Sequence, residues 1–389
     1  MRRHRGVRCA LAGASGLALG LALLVTACSY VAAPKAAQGS AVRTSGSTGT
    51  RRWAFGQPDG ITASRTGIWV SDGLVNAVYE FRPATGALVR IIAGPRYRFD
   101  DPDGIVADQG RIWVASARDN VVTELSATGA LIRVIGGRRY QFSVPQGITA
   151  DAGRIWVAST DRVTEFSAAT GAFIRVIGGS RYQFSTLDGI AAADSRLWVP
   201  NGDAVTEISA RTGALIRVIG GSQYRFNGPD VAAVAGGHVW IGNFNSDSVT
   251  EFWATTGRLV RVTRHLPNVP LAIAASPGAA WVAMNSGAKG SDIAGPDGSV
   301  AELRARTGAI IRVISAVRYH VADPQAAVVA GNHVWIASMN YPGPGGSVTE
   351  ISAANGALIR VITGTQQHIA TTAALTADAA GAGPVSLTP

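Results

Sequence analysis

The chain has 389 residues, is 47% hydrophobic and 15% charged, and carries 47 glycines and a formal net charge of +10. That is apolar material for a large core, and the glycine load suits a protein made of many turns. Lys35 and Lys289 are its only lysines; with no nucleic-acid motif, the composition excludes a dedicated nucleic-acid binder and leaves a mild preference for anionic partners.

Residues 1–8, MRRHRGVR, are basic, and the apolar run that follows, residues 9–25, is short and glycine-rich for a spanning helix. Together they predict a signal peptide over 1–27, whose four arginines account for all but +6 of the charge. Val25-Thr26-Ala27-Cys28 resembles the bacterial lipobox. The resemblance implies cleavage before Cys28, lipidation of its thiol, and export with anchoring to the outer face of a bacterial membrane. Cys9 leaves with the leader, so the mature chain has no partner for a disulfide. Residues 28–50 are the lipidated Cys and a small, polar, aperiodic tether, with a reach of about 25 Å.

From residue 51 the sequence repeats. The segment 145–187, PQGITADAGRIWVASTDRVTEFSAATGAFIRVIGGSRYQFSTL, holds four short runs of period-two alternation rich in Val, Ile, Thr and aromatics. These are strand signals, separated by Gly- and Asp-containing turns. A unit of about 40 residues forming one four-stranded meander cannot bury both faces alone, and tandem copies predict a β-propeller. Trp69, Trp113, Trp156, Trp198, Trp240, Trp281 and Trp335 count seven units. Each unit has a Glu in its third strand and an Arg nine or ten positions later: Glu80 with Arg90 in the first, Glu350 with Arg360 in the last. The pair should face across the last hairpin as scaffold, worth about 0–1 kcal/mol if exposed. The indoles should wedge between neighbouring blades.

Tyr-x-Phe connectors at Tyr97, Tyr140, Tyr182 and Tyr224 lie five residues before the next Pro or Leu, and Trp53-Ala54-Phe55 stands at the same distance from Pro58. The N-terminal segment is therefore expected to supply the connector that the last unit lacks, closing the ring and removing exposed sheet edges. The fold class is all-β, a seven-bladed propeller over 51–370, with 371–389 a tail or partial extra strand. Ala373-Ala374-Leu375-Thr376 resembles another first strand, which keeps an eight-bladed ring as the alternative.

The succession Pro-x-Gly-Ile, Ile-Trp-Val-Ala-Ser, Val-Thr-Glu-Phe and Ala-Thr-Gly-Ala-Phe-Ile-Arg-Val-Ile resembles the NHL and YVTN repeat families of β-propellers over residues 51–364. That resemblance implies binding platforms, sensors and occasional enzymes. The chain is also similar in repeat form to the virginiamycin B lyase family. It departs from that family by carrying Asp-Gly-Ile or Gln-Gly-Ile where the family has inner His residues.

Strand direction puts the start of strand one, the loop between strands two and three, and the connector on one face, which should carry function. Its innermost residues are Asp59, Asp103, Gln146, Asp188, Asp230 and Gln325, with Leu271 in the sixth unit. Carboxylates around one channel attract a cation or a ligand bearing amines and hydroxyls, although Asp also caps Pro-Asp-Gly turns. An outer polar group follows the Trp strands: Asp72, Asn120, Asp161, Asn201, Asn243, Asn285 and Asn340, either a hydrogen-bonding ring or solvated loop tips. The sixth and seventh units add insertions with Asn285, Asp292, Asn340 and Tyr341. Beside them stand His265, in the place of a connector Tyr, and His320, the candidates for metal binding or proton transfer together with Asp292 and Asp323. No serine-hydrolase elbow, phosphate loop, zinc-binding Cys pair or quinone-docking signature is present.

The sequence thus predicts a monomeric, lipid-anchored binding module at the cell envelope, with an envelope protein, a peptide or a carbohydrate as ligand. A lyase-like enzyme with a site near the channel mouth is the alternative.

Overall fold

A computed structural model describes residues 53–285, 298–315, 317–340 and 345–364, and the backbone of 367–368. The expected signal peptide, Cys28 and tether, as well as Asp292, Tyr341 and 371–389, lie outside these residues. Seven antiparallel sheets follow in chain order, spanning 58–93, 102–136, 148–178, 191–219, 229–263, 269–314 and 324–362. Within each, the four strands lie side by side in the order of the chain. The only helical elements among the described residues are three-residue 3-10 turns in three connectors. The fold is a seven-bladed β-propeller, as the Trp count predicts.

Burial along the strands explains the sequence pattern. The second strand of the first blade, Ile68–Asp72, is buried at every position, whereas the fourth, Leu88–Ala93, alternates between covered and open. Inner strands sit between neighbouring sheets and read as continuous apolar runs; outer strands have one wet face. Trp69 is fully buried against Ile105, Ile112, Val114 and Leu125 of the next blade. Trp335 packs the same way on Ile61, Ile68 and Phe81 of the first. Seven such wedges hold the sheets face to face, and losing one indole to Ala should cost about 3–5 kcal/mol.

The Glu–Arg pair is more than an exposed scaffold contact. Glu and Arg are direct cross-strand partners in every blade, as with Glu80 opposite Arg90, but the seven glutamates are all buried, none more than 6% exposed. The expected 0–1 kcal/mol therefore does not apply. Burial raises the pKa of Glu80, Glu165, Glu207 and Glu302, and the facing Arg pulls it back. The arginine also leaves its own sheet. Arg133 donates to Ala169 O at 3.3 Å, Arg217 to Thr255 O at 3.1 Å and Arg261 to Arg306 O at 3.0 Å, each in the last hairpin of the following blade. The pair is thus a latch between blades.

Closure uses the same parts. Arg360 of the last blade donates to Ala84 O of the first at 3.0 Å. Phe55 is 2% exposed in a cluster that joins Ile68 and Phe81 to Trp335 and Val348, with Trp53 packed against it. In blades 2, 3 and 4, Thr123, Thr164 and Thr206 donate to the carbonyls of connector residues Tyr97, Tyr140 and Tyr182 at 2.6–2.7 Å. Tyr79, at the matching place in the first blade, donates to Ala54 O at 2.9 Å. Residues 53–55 therefore occupy a connector's seat. Beyond the four strands of blade 7, Gln367–His368 adds a short fifth, pairing with Ile362 and Val361.

Candidate functional site

The mouths of the first strands meet around the channel because glycine lets them. A methyl group added at Gly60 would lie 2.3 Å from Asp103 O, at Gly104 2.0 Å from Gln146 O, at Gly147 2.6 Å from Asp188 O and at Gly189 2.2 Å from Asp230 O. No side chain fits there, so each Gly allows the next blade's backbone to approach. Asp59, Asp103, Gln146, Asp188 and Asp230 are thereby placed as one continuous arc over five successive blades.

Within the arc, Gln57 Nε2 and Gly73 N donate to Asp59 at 2.9 and 3.0 Å, and Gln146 Nε2 donates to Asp103 at 3.4 Å. Burial pushes Asp59 up to about 8, helped by the charge of Asp103, and pushes Asp103 itself up to about 7. Burial also raises Asp188 and Asp230, and the charge of Asp188 raises Asp230 further. By area Asp188 is exposed and the other three are half-buried. The two observations are compatible in a narrow mouth: water reaches the oxygens, but crowding by protein removes most of their solvation. Carboxyls in this state gain when a cation or an N–H or O–H donor arrives.

Gln325 and Asn285 come together at the junction of blades 6 and 7 through a residue that the sequence reading treated as secondary. Asp323 Oδ1 accepts from both, at 2.9 Å each. Its carboxyl is buried and its pKa raised by that burial. The signal for it was legible as Asp-Pro at the strand start, the same pair as Asp101-Pro102, and both aspartates have left-handed φ, 50° and 58°. Gln57, beside Asp59, carried no motif at all.

The two histidines lie elsewhere. His320 is exposed, with φ 48°, at the connector position held by Arg98, Gln141, Gln183 and Arg225 with φ between 51° and 57° in other blades. Its carbonyl accepts from Ser347 Oγ at 2.8 Å, at the start of a third strand, two strands and so about 10 Å outward from the first-strand mouth. His265 does not replace a connector Tyr. The connector before blade 6 is shorter and lacks the 3-10 turn, so Leu266 supplies the buried group while His265 is exposed. No group of three or more His, Cys, Asp or Glu among the described residues is placed to hold a metal.

The outer polar group divides. Asn201 and Asn243 are buried and donate inward, to Thr206 and Thr250 at 3.0 Å, so they are internal staples and not solvated tips. Asp72 is fully buried and accepts from Gly56 N and Gln57 N at 2.7 and 2.8 Å, fastening the closing segment. Asn120 and Asp161 are exposed. Asn340, with its amide oriented to satisfy both ends, donates to His320 O at 3.0 Å and accepts from Ser347. A separate cavity of about 360 Å³ opens at the rim of this face, lined by Arg98, Asp119, Asn120, Arg138, Gln141 and Phe142.

No protein-family model and no curated protein sequence matches the chain. Among solved structures, virginiamycin B lyase from Staphylococcus aureus is similar at 17% identity and TM-score 0.58, over 73% of this chain and 92% of that one. A streptogramin B lyase structure is similar at 17% identity and TM-score 0.59, over 76% of this chain and 94% of the other. What these chains share at such identity is the fold.

Proposed function

We propose that the protein is a binding module whose loop-bearing face captures a partner at the cell envelope, with contacts centred on the channel mouth. The observation that carries this reading is the arc in which Asp59 and Asp103 are followed by Gln146 and then Asp188 and Asp230, with all four carboxyl pKa values raised. A fold has no need of such an arc, because blades 6 and 7 place Leu271 and Gln325 at the same position. The ligand class is one that presents amines or hydroxyls: an envelope protein, a peptide or a carbohydrate. In this reading the lipobox-like Cys28 and the tether after it hold the propeller at the outer face of a membrane. Lyase chemistry has less support, since the exposed His320 lies about 10 Å outward from the first-strand mouth.

The test is capture of partners from envelope extract by the full chain and by a variant with the four aspartates changed to Ala. The reading expects a partner that the variant no longer retains; identical captured sets would refute it.

A further inference from the structure

The hairpin between the third and fourth strands recurs in every blade, and its plainest copies reveal what the turn itself requires. Blade 2 has Ser126-Ala127-Thr128-Gly129-Ala130, blade 3 Ser167-Ala168-Ala169-Thr170-Gly171-Ala172, and blade 7 Ser352-Ala353-Ala354-Asn355-Gly356-Ala357. The serine hydroxyl accepts from a backbone N–H inside the turn, and the glycine takes φ near +70°. Blades 4, 5 and 6 make the same turn with Arg211, Trp253, Arg258, Arg304 and Arg306 where the plain copies have Ser or Ala. The backbone bonds do not change: Gly257 N to Trp253 O is 2.8 Å and Gly308 N to Arg304 O 2.7 Å, against 2.8 Å for Gly171 N to Ser167 O. The turn does not need these five large side chains.

All five are exposed, and among the described residues none of the four arginines lies within ion-pair distance of an acid, although the charge of Arg304 lowers the pKa of Glu302. Trp253 is 38% exposed, whereas the seven indoles between the blades are at most 1% exposed. Its ring is held in place, 4.2 Å from that of His238 and across the hairpin from Arg258, so little freedom is lost on contact. Arg217 and Arg261 fasten the three turns edge to edge through Thr255 O and Arg306 O. The facing turns between strands one and two in blades 5 and 6, Gly236-Gly237 and Ser276-Pro277-Gly278, bring no acid. Asp108, Asp151 and Asp194, the acids in such turns, belong to blades 2–4.

We infer that these three turns form a second interaction surface, on the face opposite the aspartate arc, for an anionic glycan. Guanidinium groups pair with carboxylate or sulfate oxygens, and an indole stacks on the apolar face of a sugar ring. Sheets pack about 10 Å apart, so charges on three successive blades suit a polymer several sugars long. An anionic membrane is the competing partner. A flat bilayer would also cover Asp108, Asp151 and Asp194 and be repelled by them, whereas a polymer strand that runs along blades 5 and 6 meets only Asp194, at its blade 4 end.

The experiment measures affinity of the full chain for polygalacturonate, dextran sulfate, uncharged dextran and phosphatidylglycerol vesicles. A variant returns the three turns to the residues of their plain copies: Arg211→Ala, Trp253→Ser, Arg258→Ala, Arg304→Ser and Arg306→Ala. The expected result is binding to at least one anionic polymer and not to dextran, weakened at least about tenfold in the variant. Trp253→Ser alone should weaken binding about threefold without altering its salt dependence, and Arg304→Ser with Arg306→Ala should flatten that dependence. The inference is overturned by failure to bind either anionic polymer, by unchanged affinity in the single and combined variants, or by binding confined to vesicles.

Discussion

Arg360 donates to the carbonyl oxygen of Ala84 at 3.0 Å, joining residues 276 positions apart in the chain. The same guanidinium faces Glu350, a fully buried carboxylate, at 2.7 Å. One side chain therefore neutralises a charge inside blade 7 and fastens that blade to blade 1. Arg360→Ala should destabilise the protein by about 3 kcal/mol in equilibrium denaturation, since the buried carboxylate loses its permanent cation and keeps only His333. A loss below about 0.5 kcal/mol would mean that apolar packing closes the ring unaided.

The glycines under the latches offer a matched comparison. Gly308 and Gly110 both have positive φ, 66° and 76°, but a methyl group on Gly308 would meet Arg261 Cδ at 2.3 Å, while one on Gly110 would meet nothing within 4 Å. Gly110→Ala should cost about 1 kcal/mol, the backbone strain alone. Gly308→Ala should cost at least about 1 kcal/mol more, by displacing the latch. Equal unfolding midpoints for the two variants would contradict the latch.

Closure should also depend on the N-terminal aromatic. Phe55 is 2% exposed between the first and last blades, so Phe55→Ala should cost about 3–4 kcal/mol. Denaturant midpoints measure it, and a cost under about 1 kcal/mol would show that residues 53–55 lie outside the cooperative unit.

The aspartate arc makes stability depend on pH. In the folded protein Asp59 is pushed up to about 8 and Asp103 up to about 7, while in the unfolded chain both ionise near pH 4. Between those values the folded state binds more protons than the unfolded, so stability falls as pH rises from about 4 through 8. Changing Asp59 and Asp103 to Asn should flatten that fall and raise the melting temperature at pH 8.5 more than at pH 5. A pair of variants with the wild-type pH slope would show that these carboxyls ionise freely.

Much of this architecture was legible because the fold needs certain residues once per blade. Trp, Glu and Arg recur for that reason, and the arc could be read from the first-strand starts, which place Asp or Gln after Pro or Leu in blades 1–5. The burial of the glutamates was not legible, because the Arg that covers each one is fixed by a turn belonging to another blade. Register failed where the spacing did. A shortened connector before blade 6 makes His265 fall at the Tyr count, yet the buried seat goes to Leu266. Asn201 and Asn243 read as loop tips because their bonding partners, Thr206 and Thr250, lie on a neighbouring strand.

The most direct test of the loop-face account is hydrogen–deuterium exchange on the full chain with and without its captured partner. The account predicts added protection at the strand mouths around Asp59, Asp103, Asp188 and Asp230 and in the adjoining connectors. Protection confined to the hairpin turns of the opposite face, with the mouths exchanging as in the free protein, would contradict it.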